Sequence, residues 1–446
     1  MKRFAIHSNR TVMPHGTFEA TVVIEDQKIL MVIDGLADGL DCEYIDAADH
    51  VLMPGLIDPH VHINEPGRTD WEGFDTGTRA AAAGGITTIV DMPLNSSPVT
   101  TTVEAFDKKL KASEGKLHVN CGFWGGIVPE NAGQLKELLG SGVLGIKAFL
   151  IDSGLDEFKN VEERHLREGI PAITESGLRL LAHSELIKSE QNDIAITDYP
   201  SFLQSRPKQW EDDAINLLIQ LTAEYNCKTH IVHLSSSGSL EQIRKAKEKG
   251  LSLTVETCPH YLVFNAEDIP PNDPFYKCAP PIRERANNEK LWEAIRSGLI
   301  DFVASDHSPA PPDLKEIESG NYQKAWGGIV GLQFLLPAFW TGAKARGLTI
   351  NKLAELMCEN PSKFLGLEAA KGRISPGYDA DLVIWAPEEK VIVSDSSIQH
   401  KHKGTPYASL NMVGLVKKTF VSGKLVYDNG EFVSLSAGKA ILRNEY

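Results

Sequence analysis

The chain has 446 residues, of which 42% are hydrophobic and 24% charged, with 37 glycines and 24 prolines. This globular composition excludes collagen-like, coiled-coil and disordered classes, and the length exceeds that of one usual domain. Basic residues number 45 and acidic residues 60, leaving a net charge of −15. Nucleic acid and anionic membrane are therefore not expected partners, because both need a basic face.

Met1-Lys2-Arg3 is followed by no apolar stretch, so no signal peptide is read there. Thr21 to Leu30 reads as a hairpin turning near Asp26-Gln27. The pattern then changes to short β-branched runs: 56–63, 86–92, 117–124, 143–151, 178–184, 229–235, 251–257 and 301–306. Helix-period segments lie between several of them, most clearly at 102–113, 132–139, 212–225, 240–249 and 288–297. Gly115, Gly140, Gly250 and Gly298 follow four of these, as helix stops do. Eight such strands alternating with helices predict an α/β fold, a (β/α)8 TIM barrel over residues 53–374. Insertions at 185–211, 259–287 and 308–328 each follow a strand and are expected on the catalytic face. The uncharged run 325–343 contains Gln333, Pro337 and four glycines, which fits a buried segment better than a membrane helix. Further strands are expected at 381–385 and 416–421, then a hairpin around Asn429-Gly430. Residues 1–52 and 375–446 are expected to form one small β-sandwich domain from both chain ends. Six cysteines with no C-x-x-C pair read as buried free thiols of a cytoplasmic protein.

The chemistry concentrates at strand ends. His60 and His62 are two apart, so strand alternation puts both on one face, where they can share a metal ion. Lys147, His183, His233 and Asp306 end four further strands. Each alone has a structural explanation, such as a satisfied core histidine or a helix cap. Six such groups on five strands of one barrel converge on its mouth, where barrel enzymes place their sites. His400 and His402 repeat the two-residue spacing without a strand and read as a solvated face. His230 lies three before His233 and is expected to face the other way, as a structural residue. His307 is expected to point away from Asp306, and His118 has no partner pattern. No nucleophile elbow, Walker loop or dinucleotide fingerprint offers another chemistry.

This residue set resembles the cyclic amidohydrolase branch of the amidohydrolase superfamily, and the likeness extends to Gly372-Arg373-Ile374-Ser375-Pro376-Gly377 near the C-terminal strands. The resemblance implies two divalent ions bridged by a carboxylated lysine, here Lys147. It implies His60, His62, Lys147 and Asp306 on one ion, and Lys147, His183 and His233 on the other. Zinc is the first expectation, with cobalt, manganese and iron also suited to these ligands. Asp306 is then the general base and acid. Asn64 stands where dihydroorotases of this type carry a carboxylate-binding Arg, and Asp152 where dihydropyrimidinases and hydantoinases carry a Tyr. Residues 64–74, 91–96, 278–283 and 326–333 resemble allantoinases instead. That implies a small neutral ureide as substrate, hydrolytic opening of its hydantoin ring, and a homotetramer. Asn95, Ala279 and Gly327 are the expected substrate contacts. A relative that kept the fold and lost the site would lack ligands, and here all six positions hold suitable residues.

Overall fold

The structure is a computed structural model that describes residues 3–37, 39–188, 194–434 and 436–443. Five strands come first: β1 (Arg3–Met13), β2 (Gly16–Glu25), β3 (Lys28–Asp34), β4 (Glu43–Asp46) and β5 (Val51–Pro54). The barrel strands follow. They are β6 (Leu56–Val61), β7 (Ile86–Asp91), β8 (Asn120–Phe123) with its short continuation β9 (Gly125–Gly126), β10 (Gly145–Phe149), β11 (Arg179–His183), β12 (Lys228–Ile231), β13 (Leu253–Thr257) and β14 (Phe302–Val303). Each of the eight expected runs holds one of these strands, although β12 starts one residue early and the continuation β9 lies just past the third run. All barrel neighbours pair in parallel, and nearly every residue of these strands is buried, as in a sheet covered on both faces. The ring closes where β6 meets the chain just beyond β14. Val61 bridges His307 there, and His62 N donates to His307 O at 2.8 Å.

The last strands are β15 (Leu382–Val391), β16 (Met412–Val421), β17 (Lys424–Asp428) and β18 (Glu431–Phe432). They join the first five in one nine-stranded sheet, ordered β18-β17-β16-β15-β5-β1-β2-β3, with β4 beside β1. β5 therefore lies between the two ends of the chain, antiparallel to β15 and parallel to β1. Phe4, Ile6, Val22, Ile24, Leu52, Leu382, Ile384 and Phe420 form a core of its own within this β-sandwich. Both expected hairpins are present, turning at residues 26–27 and 429–430.

Three helices of ten or more residues escape the periodicity reading, Phe74–Ala83, Glu163–Ser176 and Leu335–Ala345, as do several shorter ones. The second contains Gly169 and Pro171, which break the pattern of a helix that tertiary packing nonetheless enforces. The third begins in the uncharged run and is mostly buried as far as Ala343, and among the described residues no helix is long and apolar enough to cross a membrane. All six cysteines are unpaired; five are buried and Cys42 is half-buried.

Candidate active site

A cavity of about 380 Å³ opens at the C-terminal ends of the barrel strands. His60, His62, Lys147, His183, His233 and Asp306 all line it, as do Asn95, Ala279 and Gly327. The insertions form its walls through Phe202, Ser205 and Arg206, through Lys277 to Ala279, and through Ser308 and Gln323 to Gly328.

His60 and His62 flank one carboxylate. Asp306 Oδ1 lies 3.2 Å from His60 Nε2 and 3.5 Å from His62 Nε2. His183 and His233 face each other with Nδ1 and Nε2 3.0 Å apart. Asp306 and His233 both have left-handed backbones, with φ of 45° and 39°. Asn95, also in the wall, has φ 73°. Non-glycine residues adopt this region at a cost and cluster at functional sites when they do. The turn after Ile231 also explains a correction. His230 does not face away from the site. Its Nε2 meets Glu256 Oε2 at 3.0 Å, and the other oxygen of Glu256 is bonded to His60 Nδ1. Alternation does not relate 230 to 233 because the chain leaves strand geometry in between; His230 stays a structural residue, packed on Phe302 and Phe364 and outside the cavity lining.

The donor set suits cations. His60 Nε2, His62 Nδ1, His233 Nδ1 and Lys147 Nζ are buried without a hydrogen-bond partner. Buried polar atoms are rarely left so unless something else meets them. Burial pushes the His62 imidazole down to about 4 and His233 well below its usual range, keeping both neutral and able to ligate. Burial also lowers the Lys147 ammonium to about 8. It would raise Asp306, but the surrounding imidazoles outweigh it and hold that carboxyl well below the usual range. Cys258 and His260 form a second cluster with Asp306, their ligand atoms within 4.8 Å of one another.

Sequence reasoning missed the partners behind these candidate ligands. His183 Nε2 meets Glu185 Oε2 at 2.7 Å, and Arg206 grips both oxygens of Glu185 at 3.0 and 2.6 Å. Glu185 is two residues from His183, a spacing that strand alternation could have flagged. Glu256 carried no such signal. His400 is a second correction. It is fully buried, not solvated, and stacks on His307 with ring centroids 5.0 Å apart. Its partner in the pattern, His402, is half-buried and meets the Asp70 carbonyl at 2.8 Å. His307 points away from the candidate ligands towards Glu72, and His118 pairs with Asp75 at 2.9 Å.

Residues 51–426 match the amidohydrolase family. The chain belongs to the amidohydrolase family. This amidohydrolase is 43% identical to the allantoinase of Arabidopsis thaliana, covering 97% of the chain and 90% of the relative. It is 44% identical to that of Streptomyces avermitilis and 42% to that of Saccharomyces cerevisiae, each over 96% of both chains. Among solved structures, the L-hydantoinase (dihydropyrimidinase) of Arthrobacter aurescens superposes with a TM-score of 0.93 at 30% identity, covering 99% of the amidohydrolase and 100% of the neighbour.

Proposed function

We propose that this amidohydrolase opens the hydantoin ring of allantoin by hydrolysis, giving allantoate. The observation that carries this is the identity of 42–44% to allantoinases of plant, bacterium and yeast over nearly the whole length. The site supports it. Asn64 is buried, its amide on the Pro309 carbonyl at 3.3 Å, and supplies no cation for a substrate carboxylate. Asp152 lines the cavity at the position where hydantoinases place a tyrosine.

His60, His62 and Asp306 would hold one divalent cation and His183 and His233 a second, with Lys147 as a carbamate between them. Bound there, two cations supply an activated water and polarise the carbonyl under attack. Zinc fits this nitrogen and oxygen set, as do cobalt, manganese and iron. Lys147 qualifies for the carbamate because its buried, unpartnered amine gives up its proton far more easily than an ordinary lysine. Asp306, held ionised, takes a proton from the attacking water and delivers it to the ring nitrogen as the carbon–nitrogen bond breaks. Asn95, Ala279 and Gly327 contact the substrate. The chain divides into a composite unit of residues 1–52 and 375–446 and a barrel of 53–374, a division that the sheet shared by both ends supports. A homotetramer in the cytoplasm completes the proposal, the unpaired cysteines suiting a reducing compartment.

The test is a panel of allantoin, hydantoin, dihydrouracil and dihydroorotate on the metal-loaded protein. Allantoin is expected to be the preferred substrate. Opening of hydantoin or dihydrouracil with allantoin left intact would move the protein to the hydantoinases.

A further inference from the structure

Lys277 in the cavity wall and Lys315 behind it have no acidic partner among the described residues. Lys315 is buried and Lys277 half-buried, and neither forms an ion pair among the described residues. Both side chains turn to backbone carbonyls instead. Lys315 Nζ donates to Gly328 O at 2.7 Å, Trp326 O at 3.1 Å and Lys277 O at 3.5 Å. Lys277 Nζ donates to Ala325 O at 2.6 Å, to Gln323 O at 3.5 Å and to Tyr322 O. Burying an amine without a counter-ion is unfavourable, so the strip it holds matters. That strip, residues 321–328, has no helix or strand to satisfy its carbonyls, and Gln323 to Gly328 form a wall of the cavity. It is also tightly seated: Gly328 has φ +136°, and a Cβ there would collide with the Ser308 carbonyl.

The anchoring fixes direction as well as place. The peptide between Trp326 and Gly327 is trans, and its carbonyl points at Lys315. Its N–H therefore points the opposite way. Gly327, which owns that N–H, lines the cavity.

We propose that Lys315 and Lys277 are positioning residues for substrate recognition, bracing the strip 321–328 so that the Gly327 amide is held ready for a carbonyl of the bound cyclic ureide. They take no part in bond breaking. The proposal rests on the cavity being the substrate site.

Steady-state kinetics and metal analysis on the full, metal-loaded chain test it, with Lys315→Met, Lys277→Met and Lys277→Arg. The expected result in both Met variants is a KM for allantoin raised about tenfold, with kcat within about threefold. Metal content stays as in the unsubstituted protein, and Lys277→Arg, which keeps donors for the carbonyls, recovers most of the KM. An unchanged KM, or a kcat that falls alone, overturns the proposal. Limited proteolysis within residues 309–328 reads the brace without any substrate. Faster cutting in the Met variants supports it, and equal rates overturn it. If the unsubstituted protein leaves allantoin intact, the substrate reading fails, and proteolysis still decides whether the brace exists. Should Lys315→Met fail to fold, the half-exposed Lys277 pair of variants carries the test.

Discussion

Glu256 touches three parts of the site at once. One carboxylate oxygen binds His60 Nδ1 and accepts from the His233 backbone N–H at 3.2 Å; the other meets His230 Nε2 at 3.0 Å. Burial would raise its carboxyl, but the two imidazoles outweigh this and keep it ionised. A ring whose Nδ1 is held by a carboxylate has its Nε2 fixed in tautomer and direction, and its basicity raised. His60 Nε2 is the atom aimed at Asp306. Glu256→Gln keeps the shape and removes the charge. It should weaken metal binding by about 10- to 100-fold, the usual effect of losing such a partner. Competition with a chelator measures it, and an unchanged metal affinity would exclude this role. Glu185 stands in the same relation to His183, with Arg206 behind it. His60 and His183 thus each have one nitrogen held by a carboxylate behind the site and the other turned towards a further group of the candidate site.

Among the elements, the junction between barrel and sandwich depends on a buried ion cluster. Lys371 lies 2.6 Å from Asp381 and 2.8 Å from Asp379. Asp381 also accepts from Ser422 N at 2.7 Å and from Asn120 of β8 at 3.4 Å. Lys371→Met would leave Asp381 buried and unpaired, so it should cost about 3–5 kcal/mol. Denaturant unfolding reads this, and a loss under about 1 kcal/mol would place the charges in water, where surface pairs contribute that little. The elements themselves were largely legible. Most barrel strands announced themselves by short apolar, β-branched runs, and His60 and His62 by alternation. What the sequence hid had physical reasons. Pro171 masked a helix that packing overrides. The relation of His230 to His233 was hidden because alternation assumes an unbroken strand, and the backbone turns before His233. His400 looked solvated amid lysines, yet its ring is covered by His307 and Phe334. Contacts such as Glu256 with His60, 196 residues apart in the chain, leave no local trace.

For the whole molecule, the proposed ligands come from strands spread around the ring, so bound cations would tie distant parts of the barrel together. Anything that binds only the folded state stabilises it by mass action, by about 2.7 kcal/mol per site at a hundredfold excess over Kd. Removing metal with a chelator should therefore lower Tm, and adding it back should restore it. A Tm indifferent to chelation would argue against the dinuclear site. The closing seam adds a matter of timing. His60 and His62 lie on the first barrel strand and Asp306 just beyond the last, and the two strands meet at the Val61–His307 bridge. A ribosome delivers the first of these proposed ligands 246 residues before the last. Until Asp306 emerges the ring has no clasp, so the nascent chain can gather five of its six ligand positions without a finished site. Acquisition of metal at the proposed site would then wait for the arrival of Asp306, late in assembly.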